Sequence, residues 1–265
     1  MTERAIPAVI KIGGSVLTGP KAYARAARWL ARRWRQPDGL QSPLLAIVSA
    51  ENGVTDRLLA EAQAIAPRPD PRALDLLWAT GEQRSAALLA LHLQAIGVPS
   101  CALNAHETGL HHSRGLLGVR TRHLRRALQS HAIVIVPGFL ASTPSRSIVS
   151  LGRGGSDLSA VALAAALGAR RCELIKDVPG YFTADPARET SAAHIPRIEI
   201  DEAIAMADSG CDLVQASALR AARRDRIELL IRTAGADARE TIVTTQGEDH
   251  AICHEDDSRR AAVGA

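Results

Sequence analysis

The chain alternates between short unbroken apolar runs and longer stretches in which apolar positions recur every three or four residues. PAVIKIGG (7–14) is an apolar run stopped by a glycine pair, and KAYARAARWLARRW (21–34) follows with helical spacing. LLAIVSA (44–50) predicts a second buried strand and TDRLLAEAQAIA (55–66) a helix after it. The three prolines of APRPDPR (66–72) break the pattern and predict an exposed loop. TGEQRSAALLALHLQAIG (80–97) predicts a helix with Leu and Ala on its inward stripe. SCALN (100–104) has strand character, a Gly- and His-containing loop follows, and 121–129 predicts a helix. AIVIVPGFL (132–140) predicts one continuous strand and SDLSAVALAAALG (156–168) a strongly buried helix. CELIKDV (172–178) predicts a strand, EIDEAIAMADSG (199–210) a helix, and IELLIRT (227–233) and ETIVTT (240–245) two late strands.

Apolar strands alternating with helices predict an α/β fold whose sheet is mainly parallel and covered on both faces. In such sheets ligands bind beyond the carboxyl ends of the strands, and the chemistry-bearing segments fall there. The chain has no internal repeat, and its polar tail (251–265) is expected to fray.

Composition narrows the picture modestly. With 265 residues, the chain suffices for one large domain or two closely joined lobes. Aromatic residues make up only 3%, so Ala, Leu, Val and Ile must build the core. No apolar run approaches the roughly 20 residues of a membrane helix, and the apolar stretch near the N-terminus is too short for a secretory signal. A soluble, cytoplasmic protein with no membrane partner is expected. The net charge of +4 is mostly arginine in helical stretches, such as Arg25, Arg28, Arg32, Arg33 and Arg35, or Arg220, Arg223, Arg224 and Arg226. No nucleic-acid reading element accompanies them, so solvated helix faces are expected and nucleic acid is not. Cys101, Cys172, Cys211 and Cys253 lack CxxC spacing and predict reduced, mostly buried thiols. His106, His111 and His112 predict a surface loop, and no metal-ligand set is expected.

Five segments carry candidate chemistry. In VIKIGGSVL, Gly13 and Gly14 let the backbone turn sharply towards a phosphate, and Lys11 can place its ammonium on phosphoryl oxygens; the plain alternative is a strand-to-helix turn. In VSAENGVTDRLL, Ser49 lies at a strand end, and Thr55 and Asp56 can cap the next helix. Ser49 and Thr55 either bind a small anion or simply close a helix start. In ATGEQRSAALL, Glu82 is expected in the first turn of a helix, where it either meets the helix dipole or binds a substrate ammonium. In SLGRGGSDLSA, three glycines surround Arg153, and Ser156 and Asp157 open an apolar helix. A buried arginine beside free backbone amides there suits bidentate carboxylate binding. In ELIKDVPGYFTADP, the choice is between an ordinary turn and a nucleotide pocket edged by Lys176, Asp177 and the rings of Tyr181 and Phe182.

In this order the five segments resemble the amino-acid kinase superfamily and, within it, the aspartate kinases. KIGGS resembles K-[FI]-G-G-[ST], VSAENGVTDRLL resembles VSAMxGVTDxL, and ATGEQRSAALL resembles SxGExxSxxL. LGRGGSDLSA is similar to LGRGGSDxSA, the most specific of these runs, and KDVPGYFTADP to TDVxGxYTADP. The resemblance implies a three-layer αβα sandwich (a carbamate kinase-like fold) occupying 1–250. Within it, an acceptor lobe would cover about 1–145 and a nucleotide lobe about 146–250. It implies ATP- and Mg²⁺-dependent phosphorylation of the aspartate side-chain carboxylate by a homodimer. Ser49, Thr55, Glu82, Arg153, Ser156 and Asp157 would form the amino-acid site, and Lys11 would stabilise the transferring phosphoryl group. Asp157 would orient Lys11 or the substrate ammonium. Gly13, Gly14, Ser15, Lys176, Asp177, Tyr181, Phe182 and Asp185 would serve the nucleotide.

The departures cluster on the nucleotide side. Lys176 stands where the family has Thr, Pro179 where it has Asp, Phe182 where it has Tyr, and Ala187 where it has Arg. GCDLVQAS (210–217) occupies the place of GAKVLHPR, which turns a lysine into Asp212, and Phe139–Ala141 replaces FxG. The chain also stops where regulatory ACT domains would begin, which implies a kinase free of feedback control in a specialised pathway. Lys176 would supply the missing cation from another strand. The alternatives are a kinase for another small amino or carboxylic acid, or an inactive partner subunit that keeps the amino-acid pocket.

Overall fold

The computed structural model describes residues 6–35, 42–235 and 237–245. Cys253 and the tail at 251–265 lie outside the described residues.

Fourteen strands and seven α-helices are formed among the described residues. The first half runs β1 (Ala8–Ile12), α1 (Pro20–Arg35), β2 (Leu44–Val48), α2 (Val54–Ile65), α3 (Pro71–Ala95), β3 (Ser100–Ala102), β4 (Leu110–Ser113), β5 (Leu116–Val119), α4 (Arg122–Ser130) and β6 (Ile133–Pro137). The second runs β7 (Leu140–Ser142), β8 (Ile148–Ser150), α5 (Gly155–Leu167), β9 (Arg171–Lys176), β10 (Tyr181–Phe182), β11 (His194–Ile195), β12 (Arg197–Glu199), α6 (Ile200–Asp208), α7 (Ala216–Asp225), β13 (Glu228–Thr233) and β14 (Glu240–Thr244).

The central sheet has eight strands in the order β12-β14-β13-β9-β1-β2-β6-β3. Every pairing is parallel except β13 with β14, as unbroken apolar strands alternating with helices predict. Alternation along each strand then sorts the core into two layers. Val9, Leu45, Ile47, Val134, Val136 and Leu174 pack with α4, α5, α6 and α7 on one face. Ile10, Ile12, Ala46, Val48, Ile135 and Ile175 pack with α1 and α3 on the other. The result is a three-layer αβα sandwich. The same parity decides the charged positions. Lys11 and Lys176 fall on the α5 face, whereas Glu173, one residue before Leu174, falls on the α1 face.

Several expectations are corrected. The helix expected from Thr80 begins at Pro71, with Asp70 as its cap accepting the Ala73 N–H at 2.9 Å, so 66–72 is only partly loop. Proline at the first helical position is a helix start, because its missing N–H would be unpaired there anyway. The run 132–140 is two strands, since Phe139 takes a positive φ of 65° and turns the chain from β6 into β7. His111 and His112 lie in β4, part of a second sheet ordered β5-β4-β7-β8, rather than in a loop. Tyr181 and Phe182 form a short strand paired with β11. Neither Thr55 with Asp56 nor Ser156 with Asp157 caps a helix. The caps are Gly53 and Gly154, both left-handed, and these four side chains sit within the first turns.

Candidate functional site

At the carboxyl ends of β1, β2 and β9 the chain opens a cleft of about 400 Å³. Its floor is the turn after β1. Gly13 donates its N–H to the Ile175 carbonyl at 2.9 Å, and the Gly14 carbonyl accepts from the Asn52 N–H at 3.1 Å. A Cβ on Gly14 would fall on the Ala50 carbonyl oxygen, so only glycine lets the two loops meet. Lys11, Ser15, Thr55, Lys176 and Asp177 line the cleft with these glycines.

Asp157 is the electrostatic centre. It is 4% exposed in the first turn of α5, and each carboxylate oxygen meets a different lysine. Lys176 Nζ donates to Oδ2 at 2.8 Å. Lys11 Nζ lies 2.8 Å from Oδ1 as an ion pair, off the direction of a hydrogen bond. Burial alone would raise this carboxyl; Lys11 and Lys176 more than offset that and hold it at about 2. The Lys176 ammonium is shifted down from the ordinary lysine value, by burial first and by neighbouring Lys11 second, against the pull of Asp157.

Glu82 presents the opposite case. It lies in the middle of α3 rather than in a first turn, so the helix dipole has no part in its environment. Gly81 lets α3 approach α2 closely, for a Cβ there would press on Val54. Glu82 is 4% exposed, and Oε2 has no hydrogen-bond partner among the described residues. Burial pushes its carboxyl up to about 8, opposed only in part by the Ala50 N–H and by Lys11.

The remaining expected residues divide. Ser49 is half-buried at the end of β2, its N–H donating to the Ile12 carbonyl at 3.3 Å. Ser156 is buried against Gly138. Arg153 is exposed, not buried as expected, and has no ion-pair partner among the described residues. Gly152 and Gly154, both left-handed, carry the loop outwards around it. Tyr181 is 1% exposed and belongs to the core, so its ring offers no face to a ligand here. Phe182 is packed edge-on against His194 beneath the Arg239 guanidinium. Asp185 is exposed on a turn, accepting the Ala187 N–H at 2.9 Å.

The cleft also holds carboxylates that were not singled out as site residues: Glu51, Asp56 and Asp212. Glu51 accepts the Gly19 N–H at 2.7 Å and pairs with Arg84 at 3.2 Å, tying the loop after β1 to α3. Asp212 is held by Gln215 Nε2 at 3.1 Å. Glu51 lies inside a motif already noted, but its contact with Gly19, 32 residues away, has no local signal in the sequence.

The lysines and the glycine turn fit a polyphosphate. Among the described residues no group of three or more His, Cys, Asp or Glu could hold a metal ion. Magnesium in nucleotide sites commonly uses one or two carboxylates plus phosphate oxygens, and Asp177 and Asp212 on the cleft fit that smaller demand. No helix among the described residues is long and apolar enough to cross a membrane.

The model of the Amino acid kinase family matches residues 7–233. An aspartokinase from Mycolicibacterium smegmatis is 35% identical over 247 residues, 91% of this chain and 58% of its own length. One from Thermus thermophilus is 38% identical over 195 residues, 72% of this chain and 48% of its own. The chain thus spans about half the length of these curated relatives. The solved aspartate kinase from Synechocystis superposes with a TM-score of 0.79 at 35% identity, covering 90% of this chain and 40% of that one. A uridylate kinase from Archaeoglobus fulgidus shares the fold alone, with a TM-score of 0.63 at 14% identity over 89% of this chain and all of the other.

Proposed function

Because the chain belongs to the amino acid kinase family, we propose that it transfers the γ-phosphoryl group of ATP to the side-chain carboxylate of L-aspartate, forming 4-phospho-L-aspartate. The observation that carries this reading is Asp157 set between Lys11 and Lys176 over a glycine-floored cleft. The similarity to aspartokinases supports aspartate as the acceptor.

The acceptor carboxylate is already ionised near neutral pH, so no strong general base is required. Catalysis rests on in-line placement and on meeting the charge spread over the phosphoryl oxygens. Lys11 provides a cation at that position, and the N–H groups of Gly14 and Ser15 would meet the phosphates, with Gly13, its own N–H given to Ile175, shaping the turn. Mg²⁺ bound with the nucleotide would screen its phosphates, with Asp177 and Asp212 the carboxylates suited to hold it. Lys176 and Asp177 would border the nucleotide at the cleft, whereas Phe182 and Asp185 do not line it and would serve the nucleotide only from outside. On the acceptor side, Arg153 offers an unpaired guanidinium for a substrate carboxylate, and Ser49, Thr55 and Ser156 offer hydroxyls. Glu82, with one oxygen unpartnered, would meet the substrate ammonium as a carboxylate once that cation draws off the proton that burial otherwise holds on it. In this scheme residues up to about 145 form the acceptor lobe, those to about 250 the nucleotide lobe, and the protein works as a homodimer, as the family resemblance implies.

The test is an acyl-phosphate trap: purified protein, Mg-ATP, aspartate and hydroxylamine. Hydroxamate with aspartate is the expected result. Signal only with another small amino or carboxylic acid would move the acceptor and keep the chemistry. Asp212 favours a second reading, a binding subunit without turnover, because it adds negative charge to the cleft a triphosphate must enter. Calorimetry separates the two, since the second reading requires aspartate binding without Mg-ATP binding.

A further inference from the structure

Lys11 and Asp157 alone would make a neutral pair. One buried ammonium beside one buried carboxylate leaves a dipole, which gives little net attraction to a phosphoryl group. Lys176 changes that sum. It is the last residue of β9, and the strand register sets Lys11 opposite Leu174, so Lys176 lies two residues further towards the cleft on the same sheet face. Its side chain is 13% exposed against 7% for Lys11, and both line the cleft. Two ammonium groups share one carboxylate at 2.8 Å each, so the cluster carries a net charge of +1.

A buried surplus charge is costly, and one lysine would have been enough to neutralise Asp157. Asp177 lines the same cleft and pulls on Lys176 from a distance, but it forms no ion pair with either lysine, so the two ammonium groups remain the cations an entering anion would meet. Gly13 and Gly14 line the same cleft as the two lysines. Each ammonium has three N–H donors, and the contact with Asp157 accounts for at most one of them.

We propose that Lys176 is a second catalytic cation on the transferring phosphoryl group, and that Asp157 is the positioning residue that holds both lysines in place for it. This rests on the kinase reading above, though not on the identity of the acceptor. In the step itself an acceptor carboxylate oxygen forms the new bond to phosphorus. The bond from phosphorus to the β,γ-bridging oxygen breaks, and its electron pair leaves on ADP. Both lysines keep their protons throughout.

The experiment compares the parent, Lys176→Met and Lys176→Arg in two assays. In steady-state kinetics with whichever acceptor gives hydroxamate, Lys176→Met is expected to lower kcat by about 10²–10³-fold, with acceptor KM within about threefold. Lys176→Arg is expected to recover part of that loss, and melting temperatures confirm that both variants fold. In calorimetry, which needs no turnover, the parent is expected to bind ADP more tightly with aluminium fluoride, a mimic of the phosphoryl in flight. Lys176→Met should lose that gain while keeping its affinity for ADP alone. A Lys176→Met kcat within threefold of the parent overturns the proposal, as does a parent that gains no affinity from aluminium fluoride. Absence of hydroxamate with every acid, alongside an aluminium fluoride gain that Lys176→Met loses, would count against a carboxylate acceptor and leave the Lys176 assignment supported.

Discussion

Strand β9 carries a buried two-cation cluster on each face, of opposite design; Arg232 in one of them also pairs with Glu240 at 3.8 Å. On one face, Glu173 sits between Arg33 and Arg232; on the other, Asp157 sits between Lys11 and Lys176. Each is a buried carboxylate bridged by two cations. Arg33 directs both Nε and Nη2 at one Glu173 oxygen, at 3.3 and 3.1 Å, and Arg232 meets the other at 2.7 Å while lying 5.4 Å above the Trp29 ring. Guanidinium forks are planar and directional, so they commit themselves to the carboxylate and to the aromatic ring. Lysine is a point charge with rotating donors, which leaves it able to serve a ligand as well. The residue type thus separates a cluster that fastens α1 to the sheet from one that opens on a cleft.

The comparison can be broken most severely at Asp157. Asp157→Asn leaves two buried ammonium groups facing one another and should cost about 3–5 kcal/mol of stability. It should also lower kcat by about 10²–10³-fold. In the parent, the Asp157 carboxyl falls from its ordinary 3.8 to about 2. Its contribution is therefore present above about pH 4 and lost as pH falls towards 2. The gap between parent and variant in denaturation curves should be smaller at pH 2.5 than at pH 6, and close only below about pH 2.

Glu173→Gln is the matched control. Both arginines are about a quarter exposed, so water softens the loss to about 2–3 kcal/mol, read as a lower melting temperature. The kcat should stay within twofold, and a larger fall would show that this cluster also serves the cleft.

Glu82 sharpens the contrast, being a buried carboxylate with no bridging cation. Its carboxyl is at about 8 in the fold against an ordinary 4.5. Between those values the unfolded chain has released a proton that the folded one keeps, so stability falls as pH rises from about 4.5 to 8. Glu82→Gln should flatten that slope, gaining steadily on the parent from pH 5 to pH 8 in urea titrations. The smallest effect is expected at the surface. Arg223→Ala breaks an exposed pair with Asp201 and should move stability by less than about 0.5 kcal/mol.

Much of this was legible along the chain. Apolar runs of five residues marked β2 and β6, and one broken only by Lys11 marked β1, because strands buried on both faces need no polar alternation. The glycine pair after β1 marked the turn on the cleft floor, and the Gly-Arg-Gly-Gly run marked the start of α5. What escaped was decided by distant partners. Asp157 meets Lys176 only because α5 crosses the sheet beside β1 and β9, and no local pattern encodes that crossing. Arg153 was expected inside because its neighbours suggest an anion site, yet two left-handed glycines swing it outwards. Asp70 and Pro71 resembled a loop because proline breaks helices far more often than it begins them. Glu82 was consequently assigned to a first turn that lies eleven residues earlier.

Helix α5 is ended at both termini by left-handed glycines, Gly154 and Gly168, and its surface is apolar nearly all round. It therefore works as a gauge of fixed length between two stops. Adding or removing one residue inside it would turn one end against the other by about 100° and swing Asp157 away from both lysines. Side-chain exchanges in the alanine-rich stretch should be better tolerated than any change in its count, so this segment is expected to vary in composition long before it varies in length.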